Sequence, residues 1–431
     1  KFSALQATTI VEDVVWQARG VLVNTCGFIA DAAQEGVDAI LRYADMKARG
    51  RIDVLIVAGC LAQRYRDDMM HEIPEIDALV GTGDFGAVAE AFSRVAQGDR
   101  PSYIGEPGWL APEGGPRVVS TPRHYAYVKV SEGCSNRCSY CLIPSLRGPQ
   151  KDRPSEAIVS EVERLADEGA REVILVSQDT TAYGRAIYGR PALPGLLRKV
   201  CRVPGIEWVR VLYTYPSLIT DELMDVFASE PTLLPYLDIP MQHGSDRILR
   251  AMRRKITRQR MIDVCNRLRS RIPGLVIRTS LIVGFPGETN ADFRHLLSFI
   301  DEVRPERAGV FVFSSEEGTE AAVLPDHIGP ELAEERRGIA MERLAHISRS
   351  FGQSRIGTIQ RVLVDGPSDE SELLCVARSY AEAPEVDGSV FVGDVTLRPG
   401  QFLDVRITDA VEYDVAGEPV EGPTREPLEE Q

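Results

Sequence analysis

Short apolar runs and helical periodicities alternate along most of the chain. In the first hundred residues, Val21-Leu22-Val23 and Val54-Leu55-Ile56-Val57 are each followed by an amphipathic stretch. Apolar runs of that length between helical patterns predict a small parallel α/β unit. The alternation breaks from Pro101 to Pro122, where five prolines and Gly105, Gly108, Gly114 and Gly115 mark loop or linker chemistry. From Tyr125 it resumes on a larger scale. Strands are predicted at Ala126–Val130, Glu172–Val176, Trp208–Leu212, Tyr236–Ile239, Val276–Val283 and Ala308–Phe313, with helices such as Ser155–Glu168, Arg258–Ser270 and Asn290–Val303 between them. Six such units fit a full or partial (β/α)6 barrel, whose chemistry gathers at the C-terminal strand ends. Beyond a charged helix near Glu331–Arg349 the pattern shifts to short β runs at Gln360–Val364, Glu372–Ala377, Ser389–Val392 and Phe402–Thr408, the signature of a small all-β barrel or sandwich. The expected divisions are residues 1–105, a linker at 106–122, 123–352, 353–418 and a tail at 419–431.

Composition adds limits. The 431 residues exceed one ordinary core, and at about 100–200 residues per domain they imply two to four. Hydrophobic residues at 44% and charged residues at 26% are ordinary for a soluble globular protein, which argues against extensive disorder. No stretch of about 18 uncharged apolar residues occurs, nor does a basic, apolar, small-residue leader, so a cytoplasmic protein without a membrane partner is expected. The net charge is −15; residues 353–431 hold 17 Asp and Glu, 6 Arg and no Lys, so −11 of it is local. Coating nucleic acid requires an excess of cations, and this balance instead suits a basic protein partner.

Eight cysteines in a reducing compartment point to metal binding or catalysis where they cluster. Glu132-Gly133-Cys134-Ser135-Asn136-Arg137-Cys138-Ser139-Tyr140-Cys141 directly follows the first barrel strand and presents three thiols separated by three and then two residues. Three thiolates can ligate a four-iron cluster while leaving one iron open. A structural zinc site would need a fourth ligand, and no Cys or His lies within the next fifty residues after Cys141. With Tyr140 before the last cysteine, the spacing resembles the radical-AdoMet superfamily signature. The resemblance implies that Cys134, Cys138 and Cys141 hold a [4Fe-4S] cluster whose open iron binds S-adenosylmethionine. A zinc-stabilised binding protein without catalysis is the reading from another class.

Other strand ends carry candidate chemistry. Ile282-Val283-Gly284-Phe285-Pro286-Gly287-Glu288 is a strand ending in a glycine-rich turn before a helix, where a ligand can approach the backbone closely. Gly284, Gly287 and Glu288 are therefore candidate cofactor contacts, as is Gln178 at the end of the Glu172–Val176 strand. Cys26 and Cys60 each end an apolar strand beside a glycine. Equivalent strand ends make a shared metal site the stronger reading over two buried thiols. Cys201, Cys265 and Cys375 show no pattern and read as core residues. No catalytic side chain is assigned.

Over nearly its whole length the chain resembles the radical-AdoMet methylthiotransferase family, with an N-terminal methylthiotransferase domain, a radical-AdoMet barrel and a C-terminal TRAM domain. Within that family it is most similar to the branch acting on an aspartate of ribosomal protein S twelve, through Asn24–Ile29, Thr121–Tyr127, Ser177–Gly184, Pro235–Gln242, Gly284–Thr289 and Glu382–Gly388. The resemblance implies two [4Fe-4S] clusters, two uses of S-adenosylmethionine, a reductant protein as electron donor, and a β-methylthio-aspartate product. Family members carry a first N-terminal cysteine that residues 1–25 lack. A full second cluster is thus expected only if a further segment supplies that ligand to Cys26 and Cys60. The rival within the family methylthiolates a tRNA adenosine. An RNA-binding TRAM domain should be basic, so the acidic one here favours docking ribosomal protein S twelve by charge, without direct RNA binding.

Overall fold

The computed structural model describes residues 19–420 apart from 113 and 116; residues 421–431 of the expected tail lie outside the described residues. The chain opens on four parallel strands in spatial order β1-β2-β3-β4: Gly20–Thr25, Val54–Gly59, Ala78–Val80 and Ser102–Tyr103. Helices cover both faces. Val21, Val23, Leu55, Val57, Leu61 and Leu79 pack with Ile40 and Ala44 of helix Ala30–Ala48, whereas Ile56, Ala58, Ala78 and Val80 pack under helix Val88–Ala96. Burial on both faces is why these strands read as continuous apolar runs.

A six-stranded parallel sheet follows, in the order β12-β11-β10-β9-β8-β5. Its strands are β5 (Tyr125–Lys129), β8 (Glu172–Val176), β9 (Trp208–Val211), β10 (Leu233–Asp238), β11 (Val276–Val283) and β12 (Arg307–Val312), with a short antiparallel pair, β6 (Ser131–Glu132) and β7 (Lys151–Asp152), inserted after β5. β5 and β12 stand at the two ends of the order, so the barrel is partial. Val128, Val173, Leu175, Val209, Val211, Leu237 and Ile277 pack against the surrounding helices. The alternate positions Tyr125, Tyr127, Ile174, Trp208 and Tyr236 face the other way and meet Leu363, Ala381, Ala383 and Phe402 of the C-terminal domain.

That C-terminal domain is a closed five-stranded barrel, β13-β14-β15-β17-β16, from Ile359–Pro367, Cys375–Arg378, Val390–Val392, Phe402–Ala410 and Val415–Pro419 in chain order. Three details depart from the pattern along the chain. The strand anticipated from Glu372 begins only at Cys375, because Ser371 turns the chain by accepting hydrogen bonds from Leu373 N (3.2 Å, to Oγ) and Leu374 N (3.2 Å, to the carbonyl). The closing strand β17 is an addition to the expected β runs; its Gly417 and Pro419 interrupt any apolar alternation. The charged helix runs farther than expected, Pro330–Arg355, and buries Arg336 and Arg355.

Buried ion pairs lock this domain to the first residues of the barrel strands. Glu172, which opens β8, pairs with Arg210 (2.9 Å) and Arg378 (2.5 Å). Asp365 accepts from Arg378 (2.7 Å) and lies 2.8 Å from His124 Nε2. Arg307, which opens β12, pairs with Glu382 (2.7 Å), which also pairs with Arg355. The C-terminal domain thus caps the N-terminal ends of the strands and leaves the opposite mouth clear.

Candidate functional site

The antiparallel pairing of Ser131 with Asp152 and Glu132 with Lys151 pinches off a loop at the C-terminal end of β5 that holds Cys134, Cys138 and Cys141. Gly133 sits at φ +76°, and a Cβ there would meet two carbonyl oxygens, of Gly148 and Pro149, at 2.5 Å, so only glycine fits the neck. The loop is tied down on three sides. Cys134 N donates to Gly148 O (3.1 Å), Asn136 Nδ2 to Asp179 Oδ2 (2.7 Å) beyond β8, and Ser139 Oγ to Ala251 O (2.7 Å).

Burial, reinforced by Asp179 and Cys138, pushes the Cys134 thiol up to about 11, and burial reinforced by Cys138 and Cys134 pushes that of Cys141 to about 12. The Arg254 guanidinium, stacked 4.0 Å over Tyr215, places Nη1 3.9 Å from Cys138 Sγ. Among the described residues no three His, Cys, Asp or Glu side chains converge tightly enough to hold an ion. The donor chemistry nonetheless fits an iron–sulfur cluster: three thiols share one braced loop, within electrostatic reach of each other. Metal binding would replace the protons that burial now favours.

The remaining rim residues divide. Gln178 Nε2 donates to Glu132 Oε1 (3.2 Å), while its Oε1 is buried with no partner, an acceptor left open beside the cysteine loop. Gly284 (φ +75°) and Gly287 (φ +75°) make the sharp turn after β11. Glu288 is committed to the protein itself. One oxygen accepts from Gly284 N (2.8 Å), the other from Arg336 (2.8 Å), and the carboxylate is 2% exposed. It braces the turn. Phe285 of the same turn packs near Tyr140, joining the turn to the cysteine loop.

The N-terminal pair occupies matched positions. Thr25 and Gly59 are register partners in β1 and β2, so Cys26 and Cys60 are the next residues at two adjacent parallel strand ends. A Cβ on Gly59 (φ +100°) would meet Thr25 O at 2.4 Å, so glycine permits this closeness. Cys26 is exposed and Cys60 buried. Cys60 packs with Phe28, with Leu142 just after the cysteine loop and with Leu146 of the helix Ile143–Arg147 that follows. Arg64 pairs with Glu316 (2.9 Å), and Ala30 N also donates to Glu316 (2.7 Å), fixing the N-terminal domain over the barrel mouth.

Between the two cysteine sets lies a buried charge group that the sequence reading missed. Glu132 contacts Lys129 (2.5 Å) and Arg147 (3.3 Å). Burial raises its carboxyl, but these two cations outweigh burial and hold it below the usual range. Burial lowers the Lys129 ammonium against Glu132. Arg147 also hydrogen-bonds Cys60, which with Glu132 keeps its guanidinium charged despite burial. The adjacency of Glu132 to Gly133-Cys134 was its only sequence signal.

A parallel half-barrel carrying three cysteines after its first strand defines a radical-AdoMet protein. The Radical SAM superfamily model matches residues 128–300, the TRAM domain model residues 356–420, and the model of the uncharacterized protein family UPF0004 residues 3–81. A tryptophan-bound radical S-adenosylmethionine methyltransferase, TsrM of Kitasatospora setae, shares the fold with a TM-score of 0.54 at 17% identity, over 70% of this chain and 64% of that one. Curated relatives narrow the class. The ribosomal protein uS12 methylthiotransferase RimO of Trichlorobacter lovleyi is 45% identical over 406 residues, 94% of this chain and 90% of the relative. The protein of that name from Desulforudis audaxviator is 47% identical over 398 residues, 92% of this chain and 87% of the relative. The chain belongs to this methylthiotransferase family and is a radical-AdoMet enzyme.

Proposed function

We propose that the protein methylthiolates the β-carbon of an aspartate in ribosomal protein uS12, using S-adenosylmethionine both as methyl donor and as radical source. The observation that carries this reading is the approach of the two cysteine-bearing strand ends: Cys60 packs on Leu142 and Leu146 just beyond the Cys134–Cys141 loop, and Arg147 bridges Cys60 to Glu132. In this reading the first three cysteines hold one [4Fe-4S] cluster. Cys26 and Cys60 hold a second, with a further cysteine that the sequence does not supply. The first cluster, once loaded, supplies the electron that splits the sulfonium of bound S-adenosylmethionine.

The chain's own residues orient the reactants. Gln178 Oε1, buried without a partner, is an acceptor for the cofactor's amino group, and the Gly284–Gly287 turn lets the cofactor lie close to backbone; Glu288 and Arg336 hold that turn in place. Residues 1–105 serve sulfur delivery, 123–352 radical generation and 353–418 substrate docking, joined by 106–122. The N-terminal domain lies over the mouth and keeps water from the reacting centre.

The C-terminal domain spends part of its acidity internally, on Asp365, Glu382 and Asp387. Asp369, Glu370, Glu372, Asp404, Asp409 and Glu418 stay exposed, and these are the groups offered to a Lys- and Arg-rich ribosomal protein. They lie on the domain that caps the strands' N-terminal ends. At about 3.3 Å per residue, the eight residues of β11 put the mouth about 26 Å away. In this reading the target aspartate reaches the mouth from a substrate docked on the C-terminal domain. A cytoplasmic site of action fits a ribosomal substrate, and no helix among the described residues is long and apolar enough to cross a membrane.

The test is incubation of anaerobically reconstituted enzyme with S-adenosylmethionine, reductant and either the ribosomal protein or tRNA. Mass spectrometry should find the methylthio group on the ribosomal aspartate. Its appearance on a tRNA adenosine instead would refute the substrate assignment.

A further inference from the structure

Residues 250–260 carry six cations, Arg250, Arg253, Arg254, Lys255, Arg258 and Arg260, and no acid, within a chain of net charge −15. Three of these have partners within the chain. Arg253 pairs with Glu320, Arg258 with Glu302 (2.8 Å), and Arg254 donates through Nη2 to Pro240 O (2.6 Å). Arg250, Lys255 and Arg260 are exposed and have no carboxylate partner among the described residues. With Asp246, Ile256 and Thr257 they rim a cavity of about 340 Å³ whose wall includes Arg254. Arg254 is 8% exposed, and its other face reaches the cysteine loop, 3.9 Å from Cys138 Sγ. A strongly basic rim thus opens on the side chain that touches the loop.

We propose that Arg250, Lys255 and Arg260 form the docking face for an acidic one-electron carrier protein, seated so that its electron passes over Arg254 to the Cys138 side of the loop. The inference rests on reading Cys134, Cys138 and Cys141 as cluster ligands. Each cleavage of S-adenosylmethionine consumes one electron, so the carrier is oxidised by one electron for every 5′-deoxyadenosine formed. Charge selects the occupant. A Lys- and Arg-rich ribosomal substrate is repelled from this rim and drawn to the exposed acids of the C-terminal domain, so the two macromolecules engage different surfaces. RNA phosphates would also be attracted by these cations, but they deliver no electron and have no reason to seek the wall behind Cys138.

The test uses the reconstituted full-length enzyme and a triple variant, Arg250→Glu, Lys255→Glu and Arg260→Glu, with Arg254 left in place. Reduced flavodoxin, an acidic flavoprotein, is the carrier probe. Its binding is read from flavin fluorescence, and its turnover from 5′-deoxyadenosine. The variant should bind flavodoxin about tenfold more weakly, with a flatter salt dependence, and flavodoxin-driven cleavage should fall in step. Cleavage driven by dithionite, which needs no docking face, should match the unaltered enzyme. Unchanged flavodoxin affinity in the variant overturns the proposal. So does tighter binding of a short single-stranded RNA than of flavodoxin at the same rim. Failure of dithionite to yield any 5′-deoxyadenosine with the unaltered enzyme would count against the cluster reading, while the binding comparison would still decide the docking face.

Discussion

Cys138 is where chemistry separates from folding. Its thiol is half-buried and makes a long contact with Arg254 and a hydrogen bond with Tyr140, both of which Ala gives up at small cost, so Cys138→Ala should abolish formation of 5′-deoxyadenosine while leaving the circular dichroism spectrum and Tm near those of the unaltered chain. Gln178→Ala removes an amide whose oxygen has no partner in the protein. Losing one hydrogen bond of about 1 kcal/mol should weaken S-adenosylmethionine binding roughly fivefold by titration, with little change in Tm. Glu288→Gln should do the reverse. It strips the charge partner from buried Arg336 and should cost about 3–5 kcal/mol of stability, visible in denaturant melts. The place of the cysteine loop at the end of the first barrel strand was legible because its spacing is local and it follows an apolar run directly. Glu288 read from sequence as a cofactor contact, because Arg336, nearly fifty residues away, gives no local sign that it claims the carboxylate.

At the scale of elements, hydrophobic period located the strands of the α/β part to within a few residues. Runs buried on both faces leave little room for another reading. The C-terminal barrel was less legible: its strands are short, and β17 contains Gly417 and Pro419. The β6–β7 pair escaped notice because two-residue strands carry no period, yet it shapes the cysteine loop. Glycine sets the geometry of both cysteine sites. Gly59→Ala would drive a Cβ into Thr25 O and force the ends of β1 and β2 apart. The N-terminal domain should then melt earlier, and iron bound beyond the first cluster should fall, as measured by iron counting on a chain that carries the further cysteine.

For the whole molecule, long-range ion pairs decide how the parts sit, and sequence could not reveal them: Glu172 and Arg378 are 206 positions apart. Burial raises the Glu382 carboxyl, but Arg355 and Arg307 outweigh it and pull it from 4.5 to about 2. A depressed carboxylate stabilises the folded state above its unfolded value, and that stability is lost as pH falls through the folded value. The C-terminal domain should therefore stay docked at neutral pH and release between about pH 4.5 and 2. Trp208, packed edge-on against Phe402 at 4.9 Å, should report this as a fluorescence change absent from Trp208→Phe. The exposed acids of that domain make a separate prediction. Asp369→Lys, Glu370→Lys and Glu372→Lys together should raise KM for the ribosomal protein and leave its cleavage-independent S-adenosylmethionine binding unchanged.

The most direct test of the whole account is tandem mass spectrometry of ribosomal protein uS12 after anaerobic turnover with the reconstituted enzyme, alongside quantification of 5′-deoxyadenosine. A methylthio group should replace hydrogen on the β-carbon of one aspartate, accompanied by 5′-deoxyadenosine and dependent on Cys134, Cys138 and Cys141. An unmodified aspartate from enzyme that still cleaves S-adenosylmethionine would contradict it.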